Sequence, residues 1–223
     1  MGKIAYSIPH ALVASICNSI KISNFVETAN TYDDATAQWA VSTFDKVYIL
    51  GSKSKSSKNI TVQEGKSDTL LSNLIDSELK GDSIFYLNAH SEKHSNLENE
   101  LTALKKVEKP IIFINNSHYL FANTPHVAQE SYPTFDYIFS LLKNLFTNSF
   151  VTIVDGVIVC VPEEISSIVS SFWARTYEER FFVADEAPKQ RSLFERAISK
   201  SKKILTQKKA KVGESVAYDI HND

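Results

Sequence analysis

The sequence predicts a mixed α/β protein: a mostly parallel, seven-stranded sheet that ends in an antiparallel hairpin and carries helices on both faces. Three observations carry that expectation. Short apolar runs alternate with helix-period segments between residues 10 and 146, the alternation that builds parallel sheets through helical crossovers. Leu70, Leu71, Leu74 and Ile75 show the i, i+1, i+4, i+5 spacing of one buried helix face. The run VTIV-DG-VIVCV at 151–161 reads as a hairpin, because Asp-Gly tolerates the positive φ of a type I′ turn.

Taken in order, strands are expected at 25–26, 46–50, 60–62, 83–87, 110–114, 151–154 and 157–161. Helices are expected at 10–20, 34–44, 68–79, 96–107 and 133–146. Ser67 ahead of Asp68 reads as the N-cap of the third helix. Beyond Pro162 the chain reads helical at 165–179 and 192–205, with a frayed end. The expected organisation is an α/β domain at 1–162 and a helical, basic extension at 163–223.

Composition narrows the function classes. A chain of 223 residues that is 43% hydrophobic can bury a sizeable core. Only six glycines occur, all isolated, against about 16 at average usage. With no GxG, a P-loop or GxGxxG cradle is excluded. Cys17 and Cys160 lack CxxC spacing and read as buried thiols of a reducing compartment, not metal ligands. No apolar run approaches the ~20 residues of a membrane span. The N-terminal MGKIAYSIPHALVASIC is too interrupted for a signal peptide, and Tyr6 stands where a myristoylation motif needs Ser or Thr. A cytoplasmic protein without membrane contact is the expectation. Residues 189–211 hold nine Lys/Arg against one acid.

Segments VETANTYDDATAQWA (26–40), FDKVYIL (44–50), SIFYLNAH (83–90), IIFINNS (111–117) and FVTIVDGVIVCVP (150–162) follow one another in an order that resembles a family of bacterial class I S-adenosylmethionine (SAM)-dependent methyltransferases. That family runs roughly VETGTYxGDTT, FxxVYSIE, GDS, FLDAH, ILIDD and a closing hairpin. The resemblance covers about 25–162 and implies a Rossmann-like methyltransferase fold. It maps the cofactor-binding positions onto Glu27, Thr28, Ala29, Gly51, Lys66 and Asn88.

Most of these positions depart from the pattern. Ala29 and Asp33 replace the two glycines that let the family's loop approach the cofactor. Asp33 and Asp34 suit a helix N-terminus but repel an incoming carboxylate. Gly51 stands where an acid would hold the ribose hydroxyls, and SKSKSSKN replaces the helix that usually follows. Lys66 cannot accept from an adenine amine. Asn88, Asn115 and Asn116 replace carboxylates that would bind a divalent cation or act as a base, so no metal is expected.

The implied function is a methyltransferase-like protein with eroded SAM and metal sites, non-catalytic, acting as a binding or subunit-type protein with no cofactor. Its partner would be another protein or a second copy of the chain. The alternative is an active SAM-dependent methyltransferase on a small-molecule or glycan-type acceptor, with Glu27 and His90 as surviving polar groups and His90 the catalytic candidate. A third reading, nucleic-acid binding through 189–211, ranks below a solvated helix whose apolar stripe packs on the body.

Other features take bland readings. His90, His94, His118 and His126 follow the fourth and fifth strands and read as loop histidines that do not converge on a metal. Residues 52–58 read as a flexible loop, and Trp39 and Trp173 as core or interface residues. Tyr119, Leu120 and Phe121 read either as a substrate lid or as a buried loop anchor.

Overall fold

A computed structural model describes residues 8–89, 95–120 and 132–181. Its elements in chain order are α1 (His10–Ser19), β1 (Asn24–Ala29), α2 (Asp34–Thr43), β2 (Lys46–Leu50), β3 (Ile60–Gln63), α3 (Ser67–Ser77), β4 (Ser83–Asn88), α4 (Leu97–Leu104), β5 (Ile111–Ile114), α5 (Phe135–Leu145), β6 (Ser149–Val154), β7 (Val157–Pro162) and α6 (Ser166–Phe181). By compactness the chain divides into Met1–Ala174 and Arg175–Asp223. Of the second unit the structure describes only 175–181, the end of α6.

The seven strands form one sheet in the order β3-β2-β1-β4-β5-β7-β6. β1 to β5 are parallel to one another, and β7 lies antiparallel between β5 and β6. The 155–156 turn supplies the reversal, with Asp155 at φ 51° and Gly156 at φ 77°, as a two-residue type I′ loop requires. Strand alternation splits the core in two. Phe25, Val47, Ile49, Ile84, Phe113 and Val159 face α1, α2 and α6. Val26, Leu50, Phe85, Leu87, Ile112 and Cys160 face α3, α4 and α5.

Several element ends differ from expectation for local reasons. β1 runs to Ala29 and is buried throughout; Glu27 and Thr28 interrupt the apolar pattern yet remain in the strand. Ser67 is the first residue of α3 and Lys66 the N-cap, because the Ser67 hydroxyl donates to Glu100 across the helix pair. α4 stops at Leu104, where Lys105, Lys106 and Val107 donate to carbonyls three residues back and tighten the last turn. No helix occupies 51–59 between β2 and β3. Instead Ser57 and Ile60 bridge, and Lys53 pairs with Glu64 at 2.7 Å.

Candidate functional site

Parallel strands β1, β2, β4 and β5 end together, with Ala29 beside Asn88 and Thr28 beside Leu50. The Asn115 amide extends the ladder by donating to the Leu87 carbonyl. Ligands of open α/β sheets bind outside this edge. Here the edge carries a continuous polar network.

On the α1/α2 side, Asn115 Nδ2 donates to Asn88 Oδ1 at 2.9 Å. Asn88 Nδ2 donates in turn to Glu27 Oε1 at 3.3 Å. Glu27 is 1% exposed, and among the described residues its Oε2 has no hydrogen-bond partner. Burial pushes the Glu27 carboxyl up to about 7; the Asn88 bond offsets part of this and the nearby Asp33 charge adds to it. Tyr86 sits beside Glu27 in the register, and burial, then the Glu27 charge, raise its phenol. Burial, together with Asp34 and Glu27, raises Tyr32 as well, and Tyr32 packs against this same core.

On the opposite side, Asn88 N–H donates to Thr28 Oγ1 at 3.2 Å, and Thr28 hydrogen-bonds the Glu100 carboxyl. Ser67 Oγ donates to Glu100 Oε1 at 2.6 Å, and Asn96 Nδ2 reaches Ser67 Oγ at 3.5 Å. Burial pushes Glu100 up to about 7 as well. The sequence reading missed Glu100 and gave Ser67 only a capping role. A signal existed: Leu97, Leu101 and Leu104 form the buried stripe of α4, and Glu100 falls on it.

The remaining predicted positions have structural roles. Asp33 is the N-cap of α2 and accepts from Ala35 N–H at 3.1 Å and from Thr36 Oγ1 at 2.7 Å. Gly51 adopts φ +103°, and a Cβ there would lie 2.8 Å from the Ala29 carbonyl oxygen, so neither the conformation nor the space suits a side chain. Ala29 is buried. Lys66 makes no side-chain cap bond. Asn116 holds a positive φ of 51°, and Asn115 is buried.

His90, His94, His126, Phe121, the 192–205 helix and the basic 189–211 segment lie outside the described residues. His118 is on the 3-10 turn Ser117–Leu120 with its ring against Tyr119, and burial lowers it. Leu120 is buried in the α3/α4/α5 core and Tyr119 packs on it, the anchor arrangement. Trp39 is packed and stacks on His10 at 3.9 Å. Trp173 is 50% exposed, so of the core-or-interface reading the core half does not hold for it; α6 buries Val169 and Phe172 instead. Both cysteines are free thiols. Among the described residues no cluster of three or more His, Cys, Asp or Glu could hold a metal, and no helix is long and apolar enough to cross a membrane.

A separate cavity of about 300 Å³ lies at the opposite end of the sheet, lined by Lys105, Lys109, Pro110, Phe146, Asn148 and Glu164 among others. None of the described site positions lines it.

No protein-family model matches this chain, and no curated protein matches it. Among solved structures, a crystal structure from Lactococcus lactis described as a "putative hemolysin" is similar at 16% identity and a TM-score of 0.41, covering 71% of this chain and 88% of that one.

Proposed function

We propose that this chain is a methyltransferase-like α/β protein that does not transfer methyl groups from SAM and serves as a binding or subunit-type protein. The observation that carries the reading is the Asp33 carboxylate. It accepts two hydrogen bonds at the N-terminus of α2, where the resemblance would seat the cofactor's own carboxylate. A ligand carboxylate there would meet a fixed like charge and would have to break those bonds, while the helix dipole returns only ~0.3–1 kcal/mol.

The surrounding residues do not fit SAM either. Gly51 leaves no room for a ribose-binding acid. The Asn88 and Asn115 side chains bond one another and Glu27, and their amides bring no negative charge for a divalent ion.

One observation favours the alternative of an active methyltransferase. Glu27 Oε2 is buried without a partner among the described residues, an arrangement that a cationic ligand group would satisfy. Calorimetric titration of the full chain with SAM and with S-adenosylhomocysteine separates the two. No heat of binding is expected; micromolar affinity for either compound overturns the proposal in favour of the enzyme.

A further inference from the structure

The sheet has two edges, β3 and β6, and they are built differently. At β3 the preceding loop folds back: Ser56 Oγ accepts from Val62 N–H at 3.0 Å, and the Ser57–Ile60 bridge closes beside it. Among the described residues, β6 has no such guard along its middle. Its sequence, SFVTIV, contains neither a charge nor a proline, two devices that normally blunt an edge.

The hairpin sets which backbone groups face outward. A two-residue type I′ loop closes on a pair that exchanges both hydrogen bonds, here Val154 and Val157. Alternation then turns the amides of Thr152 and Phe150 toward β7, and those of Ser149, Val151 and Ile153 away from it. Lys143 Nζ donates to the Ser149 carbonyl at 2.5 Å. Among the described residues Val151 and Ile153 make no backbone bonds outside the ladder, which leaves their N–H and C=O groups as an open rung there.

We propose that this edge is a self-association surface, where two copies of the chain pair β6 against β6 in antiparallel register about a two-fold axis through Thr152. Val151 of each copy then faces Ile153 of the other, and the two pairs complete four backbone hydrogen bonds. Thr152 meets Thr152 in the closer, non-hydrogen-bonded position, a favourable cross-strand pair. Asp155 of each copy falls opposite the second copy's Ser149, whose carbonyl already holds Lys143. Acid therefore meets base at both ends of the joint, and no charge lies in the middle.

α5 strengthens the match. Phe139 is 36% exposed and stands one turn before Lys143, on the helix stripe that reaches the β6 edge. Each copy thus brings an exposed aromatic ring to the flank of the joint. A closed isologous pair of this kind satisfies both open edges at once, and it does so whether or not the crevice binds a cofactor.

Sedimentation of the full chain at about 50 µM, above the micromolar Kd of a modest interface, tests the proposal. The expected mass is twice the 25.0 kDa of one chain. Val151→Pro removes an outward N–H and places a ring in the joint while sparing the β6–β7 bonds. It should halve the mass with the far-UV circular dichroism unchanged. Ile153→Lys should do the same and serves if the proline variant does not fold. Thr152→Cys in a Cys17→Ser background should form an intermolecular disulfide under mild oxidation, since facing Cα atoms would lie about 4.5 Å apart. A single-chain mass for the wild type overturns the proposal and leaves the edge to a different partner. So does a dimer that both edge variants leave intact, or one that Thr152→Cys fails to lock.

Discussion

Replacing Glu100 with glutamine should stabilise the protein at alkaline pH and leave it nearly unchanged in acid. Glu100 is 1% exposed, and burial carries its carboxyl from 4.5 to about 7 in spite of hydrogen bonds from Ser67 and Thr28. The folded chain therefore holds this proton more tightly than the unfolded chain does. Its contribution is complete below the unfolded value, declines as pH rises through the window from 4.5 to about 7, and is level above it. At about 1.4 kcal/mol per unit, the loss across that window is about 3 kcal/mol.

Glutamine keeps an acceptor for the Ser67 hydroxyl, replaces the carboxylic O–H with an N–H donor and cannot ionise. Urea unfolding followed by the fluorescence of Trp39 and Trp173 should show Glu100→Gln gaining about 3 kcal/mol over the wild type at about pH 9, and within about 0.5 kcal/mol of it at about pH 4.5. An equal loss at both pH values would refute the reasoning. It would mean that Glu100 is charged in the fold and that its hydrogen bonds to the ionised form supply the stability.

Asp33→Ala removes the N-cap of α2 and should lower stability by about 1 kcal/mol; an unchanged thermal midpoint would show that the cap contributes nothing. Gly51→Ala forces a side chain into φ +103° with its Cβ 2.8 Å from the Ala29 carbonyl, at about 1–3 kcal/mol, which should appear as a lower urea midpoint. Cys160 is fully buried with its thiol pushed up to about 11. It should resist alkylation until the protein unfolds, whereas half-buried Cys17 should label first, as peptide mass spectrometry can resolve.

What could be read in the sequence followed the strength of the local signal. The 151–161 hairpin was legible because Asp155 and Gly156 state the turn chemistry directly and the flanking residues are uniformly β-forming. The alternation of strands and helices was legible because the central strands β4 and β5 are buried on both faces and so read as apolar runs. Helix ends were less so. Ser67 has the residue type of a cap, but tertiary contact with Glu100 claims its hydroxyl. The place of β7 between β5 and β6 depends on sheet pairing across many residues, which no short window encodes.

The site divides along the same line, and β1 shows why. Glu27 and Thr28 are adjacent, so the pleat sends them to opposite faces of the sheet. One joins Asn88 and Asn115 from β4 and β5; the other joins Glu100 and Ser67 from α4 and α3. The first group could be found by motif order, since its members lie at strand ends in fixed sequence positions. The second could not, since its members are a mid-helix acid and the first residue of another helix. Asn88 connects the two groups, donating its side chain to Glu27 and its backbone amide to Thr28. Two carboxyls that both prefer their protons near neutrality thus share one asparagine. Each carboxyl is raised chiefly by its own burial, with the Asp33 charge adding to Glu27 and the Asp68 charge to Glu100. Hydrogen bonds through Asn88 therefore join two acids whose halves of the network belong to different hydrophobic cores.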